Sequence, residues 1–356
     1  MSTPKFPVVT PSFHSELKKR VNKYFEETGT STTGDARLFS KAVILFLTLV
    51  AVYVHLVFFP SPVWVSVLEC LLLGGLVSAI GFNVMHDGAH GSFSKHKWMN
   101  QMAAFSLNIL GGSSFMWNVK HNIIHHAYTN VDGVDDDIDV KPWMRMSSTQ
   151  KKYPMHRFQH IYFWVLYSLL YLFWIFVSDY KKYFRGKVGE MPLKKMELKD
   201  HFIFWGFKAL NLFLFVVLPI TQVGFTNWLI GFLIFTGFAG LVLSIVFQLA
   251  HTVEHTSFPV ADEVTGKLED EWAIHQIKTT ANFATDNKLV SWLVGGLNFQ
   301  IEHHLFPKIS HVHYPEISRI IRQACADFGI EYVEYPKVRH AVASHISFLK
   351  QMGRAA

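Results

Sequence analysis

The chain has 356 residues, half of them hydrophobic and 15% aromatic, and its 17% charged residues fall below the roughly 25% of a soluble domain, which points to a membrane protein. The net charge of +6 and sequence pI near 9.1 do not mark a nucleic-acid binder, because the basic residues cluster beside apolar segments, where anionic lipid headgroups account for them. Cys70 and Cys325 are far apart and form no CxxC, which argues against a disulfide framework or a thiolate metal site.

The first 39 residues are polar and mixed in charge, without the apolar stretch of a cleavable signal peptide, and are expected to stay cytosolic. Uncharged runs follow at Ala42–Phe59, Ile161–Ser178 and Trp228–Ala250. Val63–Met85 carries only Glu69, and Ile203–Ile220 only Lys208. Each run approaches the ~20 residues that cross a bilayer. Glu69 and Lys208 lie about two helical turns from a segment end, within reach of an interface or a protein interior.

Flanking charge sorts these segments, since Lys and Arg favour the cytoplasmic side. The loops Pro60–Pro62 and Thr221–Asn227 carry no charge and suit outer turns between paired spans. The segment 161–178 instead has Lys151, Lys152 and Arg157 before it and Lys181, Lys182, Arg185 and Lys187 after it, so both ends read as cytosolic and the segment as interfacial. The expected architecture is an all-α membrane protein. Four transmembrane helices at about 42–59, 63–85, 203–220 and 228–250 form two hairpins, with interfacial helices and a cytosolic helical cap. Residues 86–202 and 251–356 then share the cytosolic face. We expect one domain, 40–310, preceded by the polar segment 1–39 and completed by the cap 311–356; no repeat stands out.

Seven of the twenty histidines fall in three clusters. His86 and His90 lie in HDGAH directly after the second span; His121, His125 and His126 lie in HNIIHH; His303 and His304 lie in QIEHH. On a helix, residues four apart share a face with Cβ atoms ~5–6 Å apart, so His86/His90 and His121/His125 each present two imidazoles to one ion. The adjacent pairs His125/His126 and His303/His304 point about 100° apart and suit two neighbouring ions. Imidazole suits Fe, Zn, Cu and Ni alike, so ligand type leaves the metal open.

In order and spacing, 86–90, 121–126 and 300–304 resemble the HxxxH, HxxHH or HxxxHH, and H/QxxHH boxes of the membrane fatty acid desaturase superfamily, over roughly residues 40–310. The flanks HDGAHGSFS, HHAYTNVDGVDDDID and GGLNFQIEHHLFP resemble the acyl-lipid or linoleoyl-CoA branch. The resemblance implies a di-iron site that takes electrons, uses O2 and removes two hydrogens from an unactivated acyl chain held in a long apolar tunnel. It also implies a further histidine after the last span. In QLAHTVEH, His251 is the choice and His255 the weaker candidate.

Gln300 stands where many desaturases have a histidine. This resembles the front-end members, which add a double bond between an existing one and the carboxyl end. Its amide is a poorer ligand than imidazole. Asp87, Glu254 and Glu302 lie beside or one turn from proposed ligands and are candidates to accept the second ring N–H of an imidazole. The acidic run Asp132, Asp135, Asp136, Asp137 and Asp139 lacks EF-hand spacing and reads as a solvated or headgroup-facing loop.

The chain contains neither an HPGG haem motif nor a Gly-rich nucleotide fingerprint. A ferredoxin or cytochrome b5-like donor is therefore expected to dock on the cytosolic face, with Lys and Arg around 181–199 as candidate contacts. The resemblance implies an acyl chain carried on CoA, a lipid or a carrier protein as substrate. A di-iron hydroxylase or ketolase of a hydrophobic substrate is the alternative activity. A transporter reading needs functional ionisable groups near mid-membrane, whereas these boxes lie at span ends.

Overall fold

A computed structural model describes residues 4–355; residues 1–3 of the expected N-terminal segment and residue 356 of the expected cap lie outside the described residues. The chain forms two compact units. One comprises Met1–Gly34, Lys120–Phe163 and Val246–Ala356, the other Asp35–Val119 and Trp164–Ile245.

The first unit is built around an amphipathic helix that the polar composition of the N-terminus hides. Ser12 caps Phe13–Thr28 by accepting from the Ser15 N–H, and Gly29, at φ 62°, ends it. Phe13, Leu17, Val21 and Phe25 recur every four residues, so they form one stripe. They pack in a buried core with Ala273, Ile277, Ile301, Leu305, Ile317 and Ile321. Each such side chain contributes roughly 1.5–3 kcal/mol when fully buried. The short strand Asn282–Phe283 pairs in parallel with Glu334–Tyr335.

Helix Val338–Arg354 closes this unit. The Arg145 guanidinium donates to the carbonyls of Met352 (3.0 Å) and Ala355 (2.9 Å), and the Gln159 amide donates to Leu349 O at 2.8 Å. Gly353 lies so close to the His156 carbonyl that a Cβ would collide with it.

The second unit is made of apolar helices. Asp35 caps Ala36–Phe58 by accepting from the Arg37 N–H. The turn at Pro60–Pro62 leads into Val63–His90, and Gly224 separates Leu198–Val223 from Phe225–His251. Glycines set the packing distances, as between membrane helices generally. A Cβ at Gly74 would lie 2.6 Å from Phe235 O, and one at Gly240 2.7 Å from Ser168 O. Val43, Ile44, Leu47, Val50 and Val54 leave one face of the first helix exposed and apolar.

Among the described residues, five helices are long and apolar enough to cross a membrane: Ala36–Phe58, Val63–His90, Pro154–Arg185, Leu198–Val223 and Phe225–His251. The chain is thus a mostly helical, multi-pass membrane protein. Four of these contain the expected spans. The fifth, Pro154–Arg185, contains the segment expected to be interfacial, and by length and composition it also qualifies as a span. Val63–His90 runs five residues past Met85, so the first histidine cluster is the last turn of the span helix rather than a segment after it. A π-helical turn at Gly81–Met85 precedes that end, and similar turns interrupt two further helices at Trp174–Ser178 and Phe213–Val217.

The two charges inside the four narrower spans expected from the sequence are paired. Glu69 meets His55 Nδ1 at 2.6 Å. Lys208 is buried and donates to Asp179 Oδ2 (2.9 Å), Gly111 O (2.6 Å) and Ile175 O (3.0 Å). Removing one partner of a buried pair costs roughly 3–5 kcal/mol because the other charge stays buried alone. Lys208→Met and Asp179→Asn should therefore each lower thermal stability strongly in detergent, and the double variant by much less than their sum. Additive losses would show that the pair is not coupled.

Candidate metal centre

Residues Val119–His125 form a π-helix, whereas the spacing argument assumed an α-helix there. The wider turn brings residues five apart into line. His121 and His126 consequently meet, with their Nε2 atoms 3.2 Å apart, while the His121 and His125 rings stack at 5.3 Å between centroids. His303 and His304 come from the short helix Gln300–Leu305, and His251 is the last residue of Phe225–His251.

All six imidazoles lie buried in the first unit. One nitrogen from each of His125, His251 and His304 lies within 4.8 Å of the others. The His303 ring sits 4.5 Å from that of His126 and 6.0 Å from that of His121.

The second nitrogens fix how these rings are held. His125 Nδ1 lies 3.0 Å from Asp135 Oδ2 and His251 Nδ1 3.3 Å from Thr279 O. A carboxylate and a carbonyl oxygen are acceptors, so each ring donates through Nδ1, the tautomer that leaves Nε2 to face a metal. His304 Nδ1 faces Gln276 Oε1 at 2.9 Å, and His303 Nδ1 faces the Tyr314 hydroxyl at 3.1 Å. The Nε2 atoms of His125 and His251 are buried with no hydrogen-bond partner among the described residues. A buried nitrogen left so costs roughly 1–3 kcal/mol, and a metal ion would satisfy both. The donor set fits a transition metal that accepts imidazole.

His86 and His90 belong to the second unit. Their rings lie 4.7 Å apart and face Trp117 at 5.8 and 6.0 Å. Gly91, at φ 76°, ends their helix. A cavity of about 550 Å³ opens beside His90, lined among others by Gly88, Ala104, Phe105, Asn108 and Phe115.

Several expected supporting residues do other work. Glu302 is buried, but it accepts from Asn282 (2.7 Å) and Tyr332 (2.7 Å) rather than from an imidazole. Burial pushes its pKa up, although those two donors oppose the shift. Glu254 accepts from Ser347 and Gln351. His255 is exposed on a turn at φ 73°. Gln300 is buried at the start of the His303 helix and bonds no ring nitrogen among the described residues. Asp87 is buried in the same turn as His86 and His90.

The acidic run is only partly solvated, with Asp139 exposed and Asp135 buried. Asp135 is almost fully buried and accepts from Asn130 N–H (2.9 Å), Asp137 N–H (3.0 Å) and the His125 ring. Asp137 pairs with Lys120 at 2.5 Å. Burial disfavours the charged form of His125, but the Asp135 and Asp137 carboxylates outweigh it and raise its pKa. Asp132 is held by Thr149, Gln150 and Lys141.

Asn130 was also not foreseen. It adopts a left-handed conformation, φ 59°, which Asn tolerates. Its amide donates to His251 O (2.8 Å), Ser257 O (3.1 Å) and Thr279 O (3.3 Å). The sequence signal was the density of Asn and Asp directly after the second cluster, a pattern of side-chain to backbone turns.

Loss of a carboxylate behind a ligating imidazole typically costs 10–100-fold in metal affinity. Asp135→Ala should show a loss of that size in metal retained after dialysis against a chelator. Full retention in Asp135→Ala would remove Asp135 from the site.

The sequence profile of the family described as "Fatty acid desaturase" matches residues 62–336. Among similar proteins are the "sn-1 linoleoyl-lipid 6-desaturase" of Arthrospira platensis, 36% identical over 96% of this chain and 92% of the relative, and its namesake from a Synechocystis strain, 36% identical over 97% and 96%. The "Acyl-lipid (8-3)-desaturase" of Physcomitrium patens is 36% identical over 96% of this chain and 72% of its own length.

Proposed function

The chain belongs to the fatty acid desaturase family, and on that premise we propose how this fatty acyl desaturase works: two iron ions are held by His86, His90, His121, His125, His126, His251, His303 and His304. The buried, partnerless Nε2 atoms of His125 and His251 are the observation that carries this reading. When bound, the irons, with O2 and electrons from a separate ferredoxin or cytochrome b5-like donor, supply the oxidant for an unactivated acyl chain. The protein's own part is positional. Asp135, Gln276, Thr279 and Tyr314 orient the rings, and the apolar wall of Ala104, Phe105 and Phe115 beside His90 suits the chain.

The substrate we propose is a lipid-linked acyl chain that already carries a double bond, with the new bond placed on its carboxyl side. Relatives named for a linoleoyl-lipid 6-desaturation support this, as does Gln300 at the branch-marking position. An amide there does not measure distance along the chain, so Gln300 marks the branch without setting the bond position.

We further propose four crossings with the histidines on the cytosolic face. The rings of His125 and His251 lie 4.7 Å apart, so an even number of crossings separates them. Three apolar helices intervene. The uncharged turn 221–227 pairs the last two, whereas basic residues at both ends of Pro154–Arg185 support an interfacial course for it. Phe13–Thr28 shares its core with Ile301 and Leu305, which likewise supports an even count between residue 34 and the third cluster.

Expression in a host without polyunsaturated fatty acids, fed linoleic acid, should yield lipid-bound product with the new bond on the carboxyl side. A new bond only toward the methyl end, or products only from saturated chains, would defeat the front-end reading while leaving the desaturase intact. Labelling of a cysteine at 190 from the outer side alone would defeat the four-crossing topology.

A further inference from the structure

We propose that the C-terminal helix Val338–Arg354 is a positioning element for the metal centre, acting through a hydrogen bond from the His345 ring to the backbone just past His251. The inference rests on the reading of His251 as a ligand. It concerns a helix that begins beyond residue 336, where the family match ends.

His251 is the last residue of its helix. Final turns lack intrahelical donors for their carbonyls and fray most easily. The ring's own bond to Thr279 O is long, at 3.3 Å, so the imidazole is only as well placed as the backbone that carries it. Asn130 and Thr256 hold the His251 carbonyl, at 2.8 and 2.9 Å.

The turn that follows is held from the C-terminal helix. His345 Nδ1 donates to Thr252 O at 2.6 Å. Ser344 Oγ accepts from the Glu254 N–H at 2.9 Å. The Ser347 hydroxyl and the Gln351 amide both donate to Glu254 Oε1, at 2.6 and 2.8 Å. Residues 344, 347 and 351 are three and four apart and share one helix face; His345 lies beside them and is fully buried. Burial lowers its pKa to about 4, so the ring is neutral near pH 7.

The helix is not a loose tail, because Arg145 and Gln159 bind its final carbonyls. It therefore transmits a fixed position to the turn, and the turn to His251. Glu254, whose place beside the ligand suggested an imidazole partner, serves as the turn's end of this clasp.

The test measures iron release from the full-length, iron-loaded protein in detergent into an excess of a ferrous chelator. His345→Leu removes the donor, whereas His345→Asn places an amide N–H at the same distance from Cβ as Nδ1. His345→Leu should release one of its irons 10–100-fold faster than the unaltered protein, the range for loss of a supporting contact, and His345→Asn should release it near the unaltered rate. An unaltered rate in His345→Leu overturns the proposal. Equally fast release from both variants also overturns it, since ring volume rather than the N–H would then matter. If His345→Leu does not fold, the Ser347→Ala/Gln351→Ala pair decides: faster release supports the clasp and an unaltered rate overturns it. Unaltered iron content and release in His251→Ala would instead overturn the ligand reading on which the proposal rests.

Discussion

An imidazole presents one nitrogen to a metal only if something holds the other, and in this protein that requirement organises the first unit. Four rings use Nδ1 against four different partners: the Asp135 carboxylate, the Thr279 carbonyl, the Gln276 amide and the Tyr314 hydroxyl. These partners come from distant stretches of sequence, so the rings are aligned only when the stretches have folded together. The N-terminal helix fits the same scheme, because its apolar stripe packs on the helices that carry Gln276 and the His303/His304 pair. The stability of the unit and the alignment of these rings therefore depend on one core.

The second unit answers a different constraint, since lipid offers no hydrogen bonds and every polar group must find a partner within the protein. Lys208 shows how this is met, with its ammonium shared among a carboxylate and two backbone carbonyls. The turn at the end of Lys97–Ile109 shows it again. Asn211 donates to Ile109 O, Tyr171 to Leu110 O and Lys208 to Gly111 O. Helix ends normally leave such carbonyls to water; here three side chains from neighbouring helices replace it. A polar residue in an apolar run thus marks a packing contact rather than a break in the span.

What the sequence made legible follows from which interactions are local. The apolar helices were readable because apolar length is a local property, and the histidine clusters because their spacing lies within one or two turns. Long-range partnership was not readable. Asp135 looked like one of five solvated acids, yet its partner is ten residues back and its burial depends on the whole unit. Glu254 and Glu302 lay in the right places in sequence and were claimed by Ser347, Gln351, Asn282 and Tyr332 instead. The π-turn at Val119–His125 was invisible for another reason: it leaves no compositional mark, yet it adds the close approach of His121 to His126 to the stacking of His121 on His125. Phe13–Thr28 was obscured by its own polar face, since five hydrophobic residues in sixteen barely alter the composition while four of them form a continuous stripe.

The central claim is that iron is held by imidazole nitrogens whose second nitrogens are fixed by the protein. X-ray absorption at the iron edge of the purified, full-length protein tests it most directly, because imidazole rings give an outer-shell scattering pattern that carboxylates and thiolates do not. The account predicts nitrogen-dominated first shells with several imidazoles per iron, and loss of imidazole scattering in His125→Ala. A shell dominated by carboxylate oxygen or sulfur, or a spectrum unchanged in His125→Ala, would contradict it.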